Sequence, residues 1–142
     1  MNVIKKLGAV VLAAIVILIS LYEVPVNAQS FTEDESVVIN GRTVTMKLSG
    51  DDRSITASTI YTSGTGVISA SVTGYRYMIS NPRIVTTDSR NSGNQSAPTG
   101  INVNINTDSS WTYYHAKSVH NCEINIGTGK YIDSKTIEKK IG

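Results

Sequence analysis

Apolar and polar residues alternate along most of this chain with a period of two. In "SVVINGRTVTMKLSGDD", Val44, Met46 and Leu48 alternate with Thr43, Thr45 and Lys47, behind an apolar Val37–Ile39 and an Asn40-Gly41 pair. Side chains two apart share a strand face, and Asn-Gly supplies the positive φ angles of a two-residue hairpin turn, so this stretch predicts two paired strands. "RSITASTIYTS" is rich in β-branched residues and ends at "GTG", and "VISASVTGYRYMI" sets Ile68, Ala70 and Val72 on one face. Gly74 interrupts that run, and the pattern predicts a bulge or bend there, with Tyr75, Tyr77 and Ile79 resuming at the other parity.

"SNPR" then turns the chain and "IVTT" begins another strand. "DSRNSGNQSAPTG" has no apolar period and many turn formers, and reads as the longest loop. "INVNINT" alternates Ile101, Val103 and Ile105 with Asn, and the tail after Asp133 reads as a short helical turn carrying Ile137 and Ile141. Short strands at this spacing predict an all-β fold, a small antiparallel β-sandwich or small barrel.

The N-terminus follows another grammar. Lys5 and Lys6 precede the unbroken apolar run "LGAVVLAAIVILISL", Pro25 follows it, and Val26 and Ala28 are small residues at the positions a signal peptidase reads. This is the pattern of a secretory signal peptide spanning residues 1–28, with cleavage after Ala28 and a mature chain from Gln29, in the style of a Gram-positive leader. The competing reading is an uncleaved anchor, since the run approaches the roughly 17 residues of a minimal span. Under the first reading the protein is secreted, keeps no stable transmembrane span after processing, and folds residues 29–142 as a single domain.

Charge narrows the partners. The whole chain carries 13 basic and 11 acidic residues, and removal of Lys5, Lys6 and Glu23 with the leader keeps the balance near neutral. No basic stripe of the kind that binds nucleic acid is present, so no nucleic-acid partner is expected. One cysteine, Cys122, cannot form an internal disulfide, and an apolar core must hold the fold.

Chemistry-bearing side chains crowd into "SSWTYYHAKSVHNCEINIG", which holds the only Trp, both His and the only Cys. Strand parity puts Trp111, Tyr113 and His115 on one side and His120, Cys122, Ile124 and Ile126 on the other, the second facing inward with His120 at the core edge. Two strand residues on one face lie about 7 Å apart, two rises of about 3.3 Å, too far for direct proton transfer between His120 and Cys122. A zinc site on His115, His120 and Cys122 lacks a second ligand pair. No Ser-nucleophile, zinc-protease, phosphate-loop or dinucleotide motif appears. No catalytic residue, metal or cofactor is therefore assigned.

The economical reading is contact. Trp111, Tyr113, Tyr114, His115 and Lys117 offer stacking faces and hydrogen-bonding tips for a cell-envelope component or an extracellular protein. "YYHAKSVHNCEI" followed by "GTGK" also resembles the secreted lactococcin-type bacteriocins, through Tyr114, His115, Lys117 and His120. That resemblance implies a small β-sandwich and, as an alternative function, antibacterial action on the cell-wall precursor lipid II. A small extracellular hydrolase or metal-binding protein is the other alternative.

Overall fold

The computed structural model describes residues 29–142, and the leader expected at residues 1–28 lies outside them. Seven strands follow in order: β1 (Phe31–Ile39), β2 (Arg42–Gly50), β3 (Ser54–Met78), β4 (Asn81–Asn91), β5 (Gln95–Asn106), β6 (Trp111–Ile126) and β7 (Gly129–Lys140). All pairings are antiparallel, and together they make one sheet curled into a half-barrel, so the expected all-β architecture is present.

The β1–β2 hairpin forms as its residues dictate. Asn40 and Gly41 take φ angles of 49° and 76°, which closes a two-residue turn and pairs Ile39 with Arg42. Val44, Met46 and Leu48 then point inward and are fully buried. Each such side chain contributes about 1.5–3 kcal/mol on leaving water, which pins the register, because a slip by one residue would expose all three.

β3 organises the rest. Its first half, Ser54–Tyr61, lies between β2 and β5; its second half, Gly66–Met78, pairs with β6 on one side and, on the other, with the start of β5 at Gly66–Ile68 and with β4 at Ser71–Met78. The chain bends between these halves, where its pairing with β5 shifts register between Tyr61 and Gly66. On one side the two half-sheets meet, β2 approaching β6 and β7 and β1 approaching β7. The core between them includes Val44, Leu48, Ile55, Ile68, Val72, Val103 and Ile124.

Three expectations are corrected. The supposed loop over residues 88–100 is mostly strand, with β4 reaching Asn91 and β5 starting at Gln95. β4 gave no apolar signal because nearly all its side chains are exposed, and ladder bonds to β3 hold it. Ser92 extends that ladder by two bonds to Ala70, one from its backbone N–H at 2.9 Å and one to its hydroxyl at 3.0 Å. The tail is β7 rather than a helical turn. Ile137 and Ile141 are both buried, and residues four apart share a face in a strand as well as in a helix, so that pair could not discriminate.

The third correction concerns Gly74. Val72 and Gly74 face inward while Tyr75 and Tyr77 face outward, without a change of parity, and the irregularity lies opposite, in β6, where Tyr75 pairs with His115 but Arg76 with Tyr113. Tyr114 is the extra residue of that bulge. Gly74 is there for room: a Cβ at this position would collide with the ring of Tyr113 and sit 2.9 Å from Ile105 Cδ1. Gly74→Ala should therefore destabilise the fold by roughly 1–3 kcal/mol, the cost of overpacking. Urea unfolding of the variant checks this, and an unchanged midpoint would refute it.

Candidate functional site

β6 carries two different sites on its two faces. From Ile124 back to Ala116 the even-numbered residues face inward, so Cys122, His120 and Ser118 are all buried. His120 is not at the edge of the core, as parity alone had it, but at 0% exposure inside it. Thr59 of β3 reaches across from the other half-sheet, placing its hydroxyl 2.8 Å from Nδ1 of His120 and 3.2 Å from the carbonyl oxygen of Ser69. That carbonyl can only accept, so Thr59 donates to it and Nδ1–H of His120 donates to Thr59; Nε2 then accepts from the Ser118 hydroxyl at 2.8 Å. Every polar group of this buried chain is satisfied with the imidazole neutral.

Burial lowers the pKa of His120 to about 4. Lys135, its neighbour across the ladder on β7, lies 3.9 Å from Asp133. Cys122 lies beside His120 on the same inner face, and burial raises the thiol pKa, opposite to what a nucleophilic thiolate requires.

The outer face is aromatic. The β3–β6 register sets Tyr75 opposite His115, and their rings stack with centroids 5.0 Å apart at 21°. The bulge turns Tyr114 outward to 36% exposure, with its ring 6.5 Å from Tyr75 and 6.0 Å from Tyr77. Val85 of β4, paired with Tyr77, extends this surface with an exposed aliphatic side chain. Along its other border Lys117 Nζ lies 3.0 Å and His115 Nε2 3.8 Å from the carboxylate of Glu138 on β7. The hydrogen bond and charge of that pair hold the Lys117 pKa above its ordinary value and the Glu138 pKa below its own.

Of the five expected contact residues, Tyr114, His115 and Lys117 come together on this face. Tyr113 does not: the bulge reverses its parity, and it lies in the core at 1% exposure, its hydroxyl donating to Asp88 Oδ2 at 3.2 Å. Burial and then the Asp88 carboxylate push its phenol up to about 12. Trp111 is half-buried at the end of the strand, with the Arg76 guanidinium 5.1 Å from its ring centroid and Arg53 Nη1 donating to its carbonyl at 2.6 Å. Tyr75 and Tyr77 were missed, although "YRY" in a strand places both rings on one face; only the register shows which face and which neighbours.

His115 and His120 lie on opposite faces of β6, which separates the members of the zinc arrangement considered above. Among the described residues no three His, Cys, Asp or Glu side chains are grouped to hold a metal ion. Compared with protein-family models and with curated proteins, the chain matches none. What the outer face offers chemically is a stacking platform of three Tyr and one His, bordered by a cation and an anion. What the inner face offers is a neutral, desolvated imidazole.

That imidazole makes stability depend on pH. A histidine with a pKa of about 4 when folded and about 6.5 when unfolded contributes its full stability above pH 6.5 and loses it as pH falls toward 4, by roughly 3 kcal/mol in all. Denaturant unfolding from pH 7 to pH 4 should show this slope, and His120→Gln should remove the part due to the imidazole. Parallel pH profiles for the two proteins would show His120 to be uninvolved. Native thiol labelling offers a second check: Cys122 should react only once the protein is unfolded, and fast labelling of the folded protein would contradict its placement in the core.

Proposed function

We propose that this protein is exported and acts without catalysis, by binding a component of the bacterial cell envelope or an extracellular protein through the outer face of β3 and β6. The observation that carries the reading is the cluster of Tyr75, Tyr77, Tyr114 and His115 on one exposed face, with Lys117 and Glu138 at its border. Rings held together by a rigid sheet, here one stacked pair with two tilted neighbours, pack against the apolar faces of sugar rings or against partner side chains and lose little conformational entropy in doing so. The ion pair at the border supplies a donor and an acceptor that orient what is stacked.

The secretory pattern of residues 1–28 supports a site of action outside the cytoplasm, and the near-neutral charge supports contact driven by shape and stacking. No helix among the described residues is long and apolar enough to cross a membrane. Wall glycan is the envelope component that best matches an exposed Tyr114 among partly exposed rings beside a polar border, because a pyranose presents an apolar face and a rim of hydroxyls.

The test is a sedimentation assay of the protein, begun at Gln29, with intact Gram-positive cells and with purified wall fragments. Tyr75→Ala combined with Tyr114→Ala should weaken binding at least about tenfold, since each ring contributes about 0.5–1.5 kcal/mol beyond its buried area. Binding unchanged in a variant whose circular dichroism matches the parent would overturn the proposal.

A further inference from the structure

The sheet has free edges, and one of them is unlike the rest. β1, β4, β5 and β7 each pair with a single neighbour. Natural sheets guard such edges with charge, because an unpaired row of N–H and C=O groups accepts any strand that fits. β1 carries Glu33, Asp34 and Glu35, β4 carries Arg83, Asp88 and Arg90, and β7 is studded with Lys, Asp and Glu. β5, from Gln95 to Asn106, carries no charge at all.

Its sequence is also self-complementary. "TGINVNINT", residues 99–107, reads the same in both directions except for the exchange of Gly100 and Asn106. Two antiparallel copies related by a two-fold axis through Val103 would place Val103 opposite Val103, Asn102 opposite Asn104 and Ile101 opposite Ile105. The strand alternation then keeps Asn against Asn on the outer face and aliphatic against aliphatic on the inner one.

Donors and acceptors match as well. Within one copy, the Ser58 hydroxyl donates to Asn102 Oδ1 at 2.5 Å, which leaves the Asn102 amide N–H groups without a partner from this strand pair. Asn104 Nδ2 donates to Ser54 Oγ at 3.0 Å and to Thr56 Oγ1 at 2.8 Å, which leaves Asn104 Oδ1 as the free acceptor. In the two-fold pairing the free donor of Asn102 faces the free acceptor of Asn104. A groove of about 410 Å³ lies beside this strand, lined by Ile101 to Asn104 together with Arg90, Asn91, Ser92 and Gln95.

From the uncharged edge, the palindrome and the amide complementarity, we infer that β5 is a homodimerisation strand, joining two copies of this chain into one continuous sheet through an isologous, two-fold β5–β5 contact. β5 pairs along the side of β3 opposite to β6 at Gly66–Ile68, so this contact leaves the aromatic face uncovered and does not rest on the proposed binding function.

Sedimentation velocity on the mature chain across the micromolar to submillimolar range should show a concentration-dependent dimer. Asn102→Lys with Asn104→Lys, and separately Asn102→Asp with Asn104→Asp, should each weaken it at least about tenfold through like charges facing across the axis. Mixing the Lys and Asp variants should restore a dimer, now mixed, which a folding defect would not do. Hydrogen exchange on the unsubstituted protein gives the same answer without variants: alternate backbone amides over residues 101–105 should gain protection as concentration rises. A monomer at every concentration, or a dimer unaffected by these substitutions and without added protection in β5, would overturn the inference.

Discussion

One strand carries the mechanical burden of this protein. β3 runs for 25 residues and serves two half-sheets, pairing with β2 and β5 in its first half and with β6, β4 and the start of β5 in its second. Because the same covalent strand lies in both layers, the way it bends decides how the layers face each other. The contact that spans the bend is polar. Thr59 and Ser69 sit on the two limbs of β3, and the Thr59 hydroxyl joins the Ser69 carbonyl to His120 of β6. A buried polar chain is favourable only when every member is paired, so the apolar side chains around it can pack tightly only in the arrangement that closes all three hydrogen bonds. This ties the relative placement of the half-sheets to a few atoms in the core.

The second constraint is the single bulge in β6. One extra residue, Tyr114, reverses the parity of the strand between His115 and Tyr113. Tyr113 is turned inward over Gly74 and toward Asp88, and Tyr114 is turned outward beside Tyr75 and Tyr77. Glycine at position 74 and tyrosine at position 113 are thus two parts of one solution, a missing side chain and the ring that fills its place. The place of Tyr114 on the outer aromatic face depends on this exchange. That face shares β6 with the buried histidine, and the sheet separates the two.

How much of this was legible depended on how local the cause was. The Asn40-Gly41 hairpin and the inward set Val44, Met46 and Leu48 could be read directly, because turn conformation and two-residue alternation are properties of a few neighbouring residues. β4 was illegible beyond its first residues, since a strand held by backbone bonds with both faces wet writes no apolar pattern. The pair Ile137 and Ile141 was readable as sharing one side but not as strand, a spacing of four being compatible with either element. For the candidate site, Tyr114, His115 and Lys117 were found from composition, whereas Tyr75 and Tyr77 came from a strand nearly forty residues away.

The sequence by itself determined the elements whose causes are local: the hairpin turn, the alternation that builds an all-β core, the burial of Cys122 next to Ile124, and the alternation of Ile101, Val103 and Ile105 in the second half of β5. Only the tertiary structure decided which tyrosine is core and which is surface, and that His120 is sealed between the half-sheets instead of lying at their rim. The physical reason is that strand parity is certain only until a bulge intervenes. Where a bulge forms depends on what must fit across the sheet, here the ring of Tyr113 against the bare backbone of Gly74.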